Sequence, residues 1–197
     1  KDLNVYTAPE GCRVTEVAAG AFAWCSHLVY LELPDVTRVG EDAFLRCEDL
    51  EIVVLSSPEL SEVENAFSGC DSLETVFMGK KGLSPVLPQQ TELLEGENYL
   101  VSEQMIYEKK DDGSLCLRNV PTDKSGQLSL LDGTEEIGAE AFAGCARLTG
   151  VDAGQMQEIR RIGAGAFDGC HSLREAIIGE KCTSLGKEAF ADCARYS

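Results

Sequence analysis

Apolar residues recur along this chain at spacings that fit neither one long helix nor one long strand. Leu28, Leu31 and Leu33 are followed by Leu50, Val53 and Leu55, and then by Leu73, Val76 and Met78. In each set the last two stand two apart, which predicts a short extended segment with one face turned inward. A second apolar pair comes next: Val36 with Val39, Leu60 with Val63, Cys182 with Leu185. Each unit then closes on one phrase, Ala-Phe, two variable residues, Cys. The phrase occurs at Phe22 with Cys25, Phe44 with Cys47, Phe67 with Cys70, Phe142 with Cys145, Phe167 with Cys170 and Phe190 with Cys193. Its phenylalanines lie 22, 23, 75, 25 and 23 residues apart, and 75 is close to three further intervals. A period in the twenties marks a solenoid, whose units bury their apolar faces only by stacking.

Four units place glycine directly after the second pair, at Gly40, Gly138, Gly163 and Gly186. A sharp or left-handed turn is expected there. The alanine before each Phe is expected to be small because neighbouring coils pass close. Taken together, the units resemble the BspA-like class of leucine-rich repeats, which read roughly L-x-x-I-x-L-P, then V-x-x-I-G-x-x-A-F-x-x-C. Leu28 to Cys47 follows that phrase nearly letter for letter, Pro34 included. No asparagine ladder is expected, since apolar residues such as Val36 and Cys182 stand in that place.

The fold class implied is α/β: a leucine-rich-repeat solenoid with a parallel concave β-sheet and short helical or 3-10 turns on the convex side. An irregular β-hairpin insertion interrupts it. One elongated domain, 1–197, is expected, with N-terminal repeats at 1–79, the insertion at 80–131 and C-terminal repeats at 132–197. Gly82, Pro85 and Pro88 make 79–90 an irregular connection. Met105 to Glu108 and Leu115 to Arg118 flank a turn at 109–113 and predict a hairpin. BspA-like proteins carry a comparable interruption, so these strands should extend the sheet. Glu64 and Asn65 leave one unit a residue short, which predicts a small bulge or a tightened turn, and a longer link at 153–161 accounts for the interval of 25.

Residues alternating with the inward leucines should line the concave surface: Tyr30, Glu32, Ile52, Val54, Thr75, Phe77, Gly150, Asp152, Glu175 and Ile177. Ile52, Val54 and Phe77 make an outward apolar group beside Tyr30. Either the 83–107 insertion folds over them, or they simply favour strand formation, or they form a ligand patch. Trp24 stands where other units carry Arg46, Gly69, Gly144, Gly169 and Asp192, an outward place. It either packs beneath the N-terminal segment as a cap or offers an exposed contact.

Charge narrows the partners. The chain carries a formal net charge of −17, and residues 1–79 hold 4 basic against 15 acidic side chains. An acidic surface repels phosphate backbones and anionic membranes, so nucleic acid is not an expected partner. No run of eighteen apolar residues is present to insert into a membrane. Lys1 to Asn4 hold neither an initiator Met nor an apolar signal core, as expected of a processed or trimmed chain.

Six of the nine cysteines share one place in the repeat and are expected as buried free thiols, with Cys182 joining them. Cys12 and Cys116 fall outside the pattern. His27 and His171 follow repeat cysteines on distant coils and read as surface bend residues. No catalytic set, metal-ligand spacing or phosphate loop is found, so no cofactor, no metal and no enzyme activity is expected. The resemblance implies a non-enzymatic module binding a protein or glycan, in a bacterial cell-surface or secreted protein, possible adhesins among its kin. A structural spacer within a longer surface protein is the alternative. The pattern specifies no oligomeric state.

Overall fold

The computed structural model describes residues 4–8, 11–63, 65–83, 85–174 and 178–193. The chain divides into two compact units, residues 1–97 and 98–197. Their strands are short because each coil spends only a few residues on each side before it turns.

The first unit runs through β1 (Val5–Thr7), β2 (Glu16–Val17), β3 (Tyr30–Glu32), β4 (Arg38–Val39), β5 (Ile52–Leu55), β6 (Glu62–Val63), β7 (Thr75–Met78) and β8 (Glu92–Glu95). Strands β1, β3, β5, β7 and β8 form one parallel sheet in that order, and β2, β4 and β6 form a second. Equivalent residues stand side by side, Leu31 against Val53 and Val53 against Val76. Thus the second apolar pair makes a sheet of its own, where a single concave sheet was expected.

In the second unit a hairpin comes first, β9 (Tyr99–Ser102) and β10 (Met105–Lys109), followed by β11 (Leu115–Asn119) and β12 (Ser125–Leu128). Then come β13 (Thr134–Ile137), β14 (Arg147–Val151), α1 (Ala153–Met156), β15 (Arg161–Ile162) and β16 (Ser184–Leu185). The expected β10–β11 hairpin is present and antiparallel. β11 then pairs parallel with β13, so the hairpin does extend the sheet of the C-terminal repeats. The turn Glu103-Gln104 that joins β9 to β10 has φ of 50° and 67°, which fits a tight two-residue hairpin. The segment expected as one insertion is divided, β8 lying in the first unit and β9 to β12 in the second. The longer link at 153–161 is occupied by α1, whose N-cap is Asp152.

The Ala-Phe-x-x-Cys phrase forms turns. Helical or 3-10 turns were expected, and the hydrogen bonds explain the difference. Some N–H groups bond within the coil, as Cys47 N–H to Phe44 O at 3.1 Å. Alternate ones bond to the next coil, as Asp42 N–H to Asn65 O at 2.9 Å, Phe44 N–H to Ala66 O at 2.9 Å and Arg46 N–H to Ser68 O at 2.8 Å. A run that gives every second donor to its neighbour cannot complete a helical ladder. The glycines correct a second expectation. Gly40, Gly138, Gly163 and Gly186 do not have positive φ, but an added Cβ at Gly163 would stand 2.3 Å from Ala139 N and at Gly186 2.2 Å from Ala164 N. These glycines serve the close passage of one coil over another. The bulge expected at Glu64 lies outside the described residues.

Each unit has its own core. Phe44, Phe67, Leu31, Val53 and Val76 are among those buried in the first, and Phe142, Phe167, Leu148 and Ile162 among those in the second. The aromatic rings stack along the coils: Phe22 to Phe44 at 5.5 Å, Phe44 to Phe67 at 5.3 Å, Phe142 to Phe167 at 4.8 Å and Phe167 to Phe190 at 5.0 Å between centroids. Phe167, with a ring on either side, is fully buried. Replacing it with Ala should lower unfolding stability by about 3–5 kcal/mol, because the stack leaves a void that rigid coils cannot close. A urea melt of Phe167→Ala against the parent measures this, and an unchanged midpoint would contradict it.

Candidate binding surface

The row expected to face a ligand is buried. Tyr30, Ile52 and Val54 are 0% exposed, Thr75 2% and Phe77 4%. This corrects the reading of them as solvent-facing. Ile52-Val53-Val54-Leu55 and Val76-Phe77-Met78 are nearly continuous apolar runs, as in strands covered on both faces, whereas a sheet wet on one face would alternate with polar residues. The Tyr30 hydroxyl donates to a Glu32 carboxylate oxygen at 3.0 Å, and burial first, then the Glu32 charge, pushes its pKa up. Asp152 accepts from Gln155 N–H at 3.0 Å as the cap of α1. Glu175 and Ile177 lie outside the described residues. Gly150 remains half-buried on β14.

The repeat cysteines carry an interaction that the sequence reading missed. Four of the thiols reach back to the Phe carbonyl of the coil before: Cys47 Sγ donates to Phe22 O at 3.1 Å, Cys70 to Phe44 O at 3.1 Å, Cys170 to Phe142 O at 3.1 Å and Cys193 to Phe167 O at 3.2 Å. A column of thiol-to-carbonyl bonds thereby ties successive coils at this turn. All nine cysteines are free. Burial pushes Cys47 and Cys170 up to about 12 and Cys70 up to about 11 from an ordinary 9.0. Cys116, on β11, is likewise buried and raised to about 11. The exposed thiol is Cys12.

What faces solvent is charge arranged across coils. Arg38 on β4 reaches Glu62 on β6 at 2.8 Å and Glu16 on β2 at 3.8 Å. In the second unit Arg160 meets Glu135 at 3.1 Å, Arg161 meets Glu136 at 3.7 Å, and Glu108 holds both Lys110 and Arg118 at 3.2 Å. Most of these pairs are exposed and screened, so they set register and polarity more than stability. His27 Nδ1 lies 3.4 Å from Asp49 Oδ2, and His171 Nδ1 donates to Asp192 O at 2.8 Å. Both rings sit exposed at coil bends, on different units.

Trp24 is exposed and does not pack as a cap. It is 63% exposed, and the Arg46 guanidinium of the next coil lies 5.1 Å from its ring centroid. Its backbone is left-handed at φ 65°, as it is at every equivalent place: Arg46 54°, Gly69 71°, Gly144 73°, Gly169 71° and Asp192 47°. A residue with a Cβ costs roughly 1–2 kcal/mol in that conformation, which explains three glycines in six. That glycine enrichment was the legible signal of a left-handed position, and outwardness alone was read from it.

Comparison with known proteins agrees with the stacked coils. The profile of the BspA type leucine rich repeat region matches residues 3–84 and 122–197, in six copies. The chain belongs to the BspA-type leucine-rich repeat family. The gap in the match brackets β8 to β11, the irregular stretch. Two solved structures are similar. One is a leucine rich cell surface protein from Faecalibacterium prausnitzii A2-165, at 22% identity over 96% of this chain and 64% of that one, with a TM-score of 0.38. The other is a T. pallidum leucine rich repeat protein, at 26% identity over 94% of this chain and 74% of that one, with a TM-score of 0.33. The chain thus spans less than two thirds of the Faecalibacterium protein. No curated protein matches it. Among the described residues no helix is long and apolar enough to cross a membrane.

Two outcomes test this placement. Phe77→Ala should destabilise by about 3–5 kcal/mol in a urea melt, the cost of a core aromatic rather than a surface one. The thiols add a pH dependence: raised in the fold and ordinary when unfolded, they contribute stability that is complete below pH 9.0 and is lost as pH rises through about 11 to 12. Urea midpoints followed across that window should fall, and fall less in Cys70→Ala.

Proposed function

We propose that this chain is a non-enzymatic binding module that recognises a protein or glycan, within a secreted or cell-surface bacterial protein. The observation that carries the reading is the repeat stack itself. Six copies of one short unit recur along the chain, and within each of the two units the outer rows present a residue from every coil at a fixed interval, a layout suited to extended contact. Charged side chains that could serve chemistry are engaged instead with partners on adjacent coils, Arg38 with Glu16 and Glu62, Arg160 with Glu135. A residue held in such a structural pair is a poor acid or base, since its charge is already compensated.

Family membership supports the setting. BspA-like proteins are commonly surface or secreted proteins of bacteria, some acting as adhesins, and the leucine-rich repeat is generally a binding rather than a catalytic unit. Fold leaves function to the site, so the contact surface has to be found on this chain. In this reading Tyr30, Ile52, Val54 and Phe77 act in packing, and contact falls to the exposed turns and outer rows.

The test is direct binding of the purified chain to a panel of extracellular-matrix proteins and glycans by surface plasmon resonance. Saturable binding to at least one member is expected. A panel without any saturable response would count against the module reading and for a spacer.

A further inference from the structure

Trp24 is the one tryptophan of the chain, and it occupies a place where two local rules oppose it. The left-handed backbone favours glycine, which stands at Gly69, Gly144 and Gly169, and hydration disfavours a large ring left mostly in water. A residue that breaks local preference without a compensating gain inside the fold points to a role outside it. The Arg46 guanidinium lies over the ring at 5.1 Å from its centroid, while the ring keeps 63% of its exposure. Tryptophan and arginine are the side chains most often found to dominate protein interfaces.

The surroundings indicate what would bind. Exposed carboxylates stand on the adjoining turns at Glu41, Glu48, Asp49 and Asp71. Arg46 is offset by Glu48 at 3.9 Å, and His27 by Asp49 at 3.4 Å. Residues 1–79 hold 15 acidic side chains against 4 basic ones. A field of that sign draws in cations and orients them, and the free part of an indole ring adds a favourable surface for guanidinium or ammonium groups.

We infer that Trp24, with Arg46 and the carboxylates of the adjoining turns, forms a docking site for an arginine- or lysine-rich segment of a protein partner. This rests on the binding-module reading and gives it a place and a partner chemistry. The partner's cation stacks on the open part of the ring while its neighbours pair with Glu41, Glu48 or Asp71. Association is steered by charge and weakens with salt.

Because Trp24 is the sole tryptophan, its fluorescence reports the site directly. The probe is a short arginine-rich peptide, with an oligoglutamate peptide and a neutral oligosaccharide as controls. The arginine-rich peptide should give a saturable change in emission that fades as salt is raised, and the controls none. Binding of the dye-labelled peptide, read by anisotropy, should weaken about tenfold or more in Trp24→Gly, in line with a central interface residue. That variant should keep the parent's melting behaviour, since glycine suits the same turn in other coils, so loss of binding would not be loss of fold. Equal affinity of Trp24→Gly and parent for the peptide overturns the site. A response to the oligosaccharide or the acidic peptide in place of the basic one overturns the partner chemistry. If a matrix protein or glycan from the panel binds both parent and Trp24→Gly equally, the module reading stands and the Trp24 site falls.

Discussion

The structure depends on one constraint, that each coil must lie a single strand spacing from the next all the way round. Parallel strands fix that spacing on two sides, at about 4.7–4.9 Å. On the third side the Ala-Phe-x-x-Cys turn keeps it by giving alternate N–H groups to the neighbouring coil, as Phe22 does to Ala43 O at 2.8 Å and Phe142 to Ala166 O at 2.8 Å. Ring centroids 4.8 to 5.5 Å apart show that the aromatic column follows the backbone spacing. The rings of Phe142 with Phe167 and of Phe167 with Phe190 stack nearly flat, at 9° and 4°, on equivalent coils, whereas Tyr6 meets Phe22 at 69° where the repeat is incomplete. The same spacing dictates the small residues. Ala43, Ala66 and Ala166 are wholly buried, and Gly138 has no room for a Cβ against Leu117 O, 2.7 Å away.

The thiol column follows from this geometry. A Phe carbonyl at the turn already accepts from Cys N–H of its own coil, as Phe44 O does from Cys47 N–H, and retains capacity for a second donor. The Cys70 thiol fills it from the next coil at 3.1 Å. A weak donor that is also a small hydrophobe suits this place, because it satisfies a carbonyl without bringing in a group that would be costly to bury unpaired. An amide would bring a second polar atom that also needs a partner. The raised pKa of Cys47, Cys70 and Cys170 is the electrostatic face of the same burial, and it makes the column inert to thiolate chemistry.

Most of the fold was legible because it repeats. The interval between phenylalanines, the alternation at Leu31 and Leu33, and the cysteines in register together carry the solenoid, its parallel pairing and its free thiols. What escaped is what spacing alone does not encode. The pair Val36 and Val39 was read as a second apolar pair before the next Ala-Phe, with no strand assigned to it, yet a segment that returns at a fixed interval can hydrogen-bond to its copies, and β2, β4 and β6 are the result. Gly163 was read for its backbone freedom and is required for its missing Cβ. The outward row at Ile52, Val54 and Phe77 was open to three readings, because alternation tells which residues share a face and not whether that face is covered. Its apolar composition was the cue, since a free face of a soluble sheet does not carry consecutive Ile-Val-Val-Leu.

A repeat protein separates structural from functional residues in a way that single-copy folds do not. Where all units agree, as at Phe and Cys, the residue is held by stacking and says nothing of a ligand. Where units differ at a place with a fixed backbone, the difference is free of structural demand in the units that obey the local preference. It must be explained in those that do not. Position Phe+2 shows this: Gly69, Gly144 and Gly169 fit a left-handed turn, Asp192 and Arg46 accept its strain with polar side chains that water solvates, and Trp24 accepts the strain with a ring that water does not favour. Strain kept at one copy while glycine is at hand in three others indicates that the side chain contributes something the turn does not need.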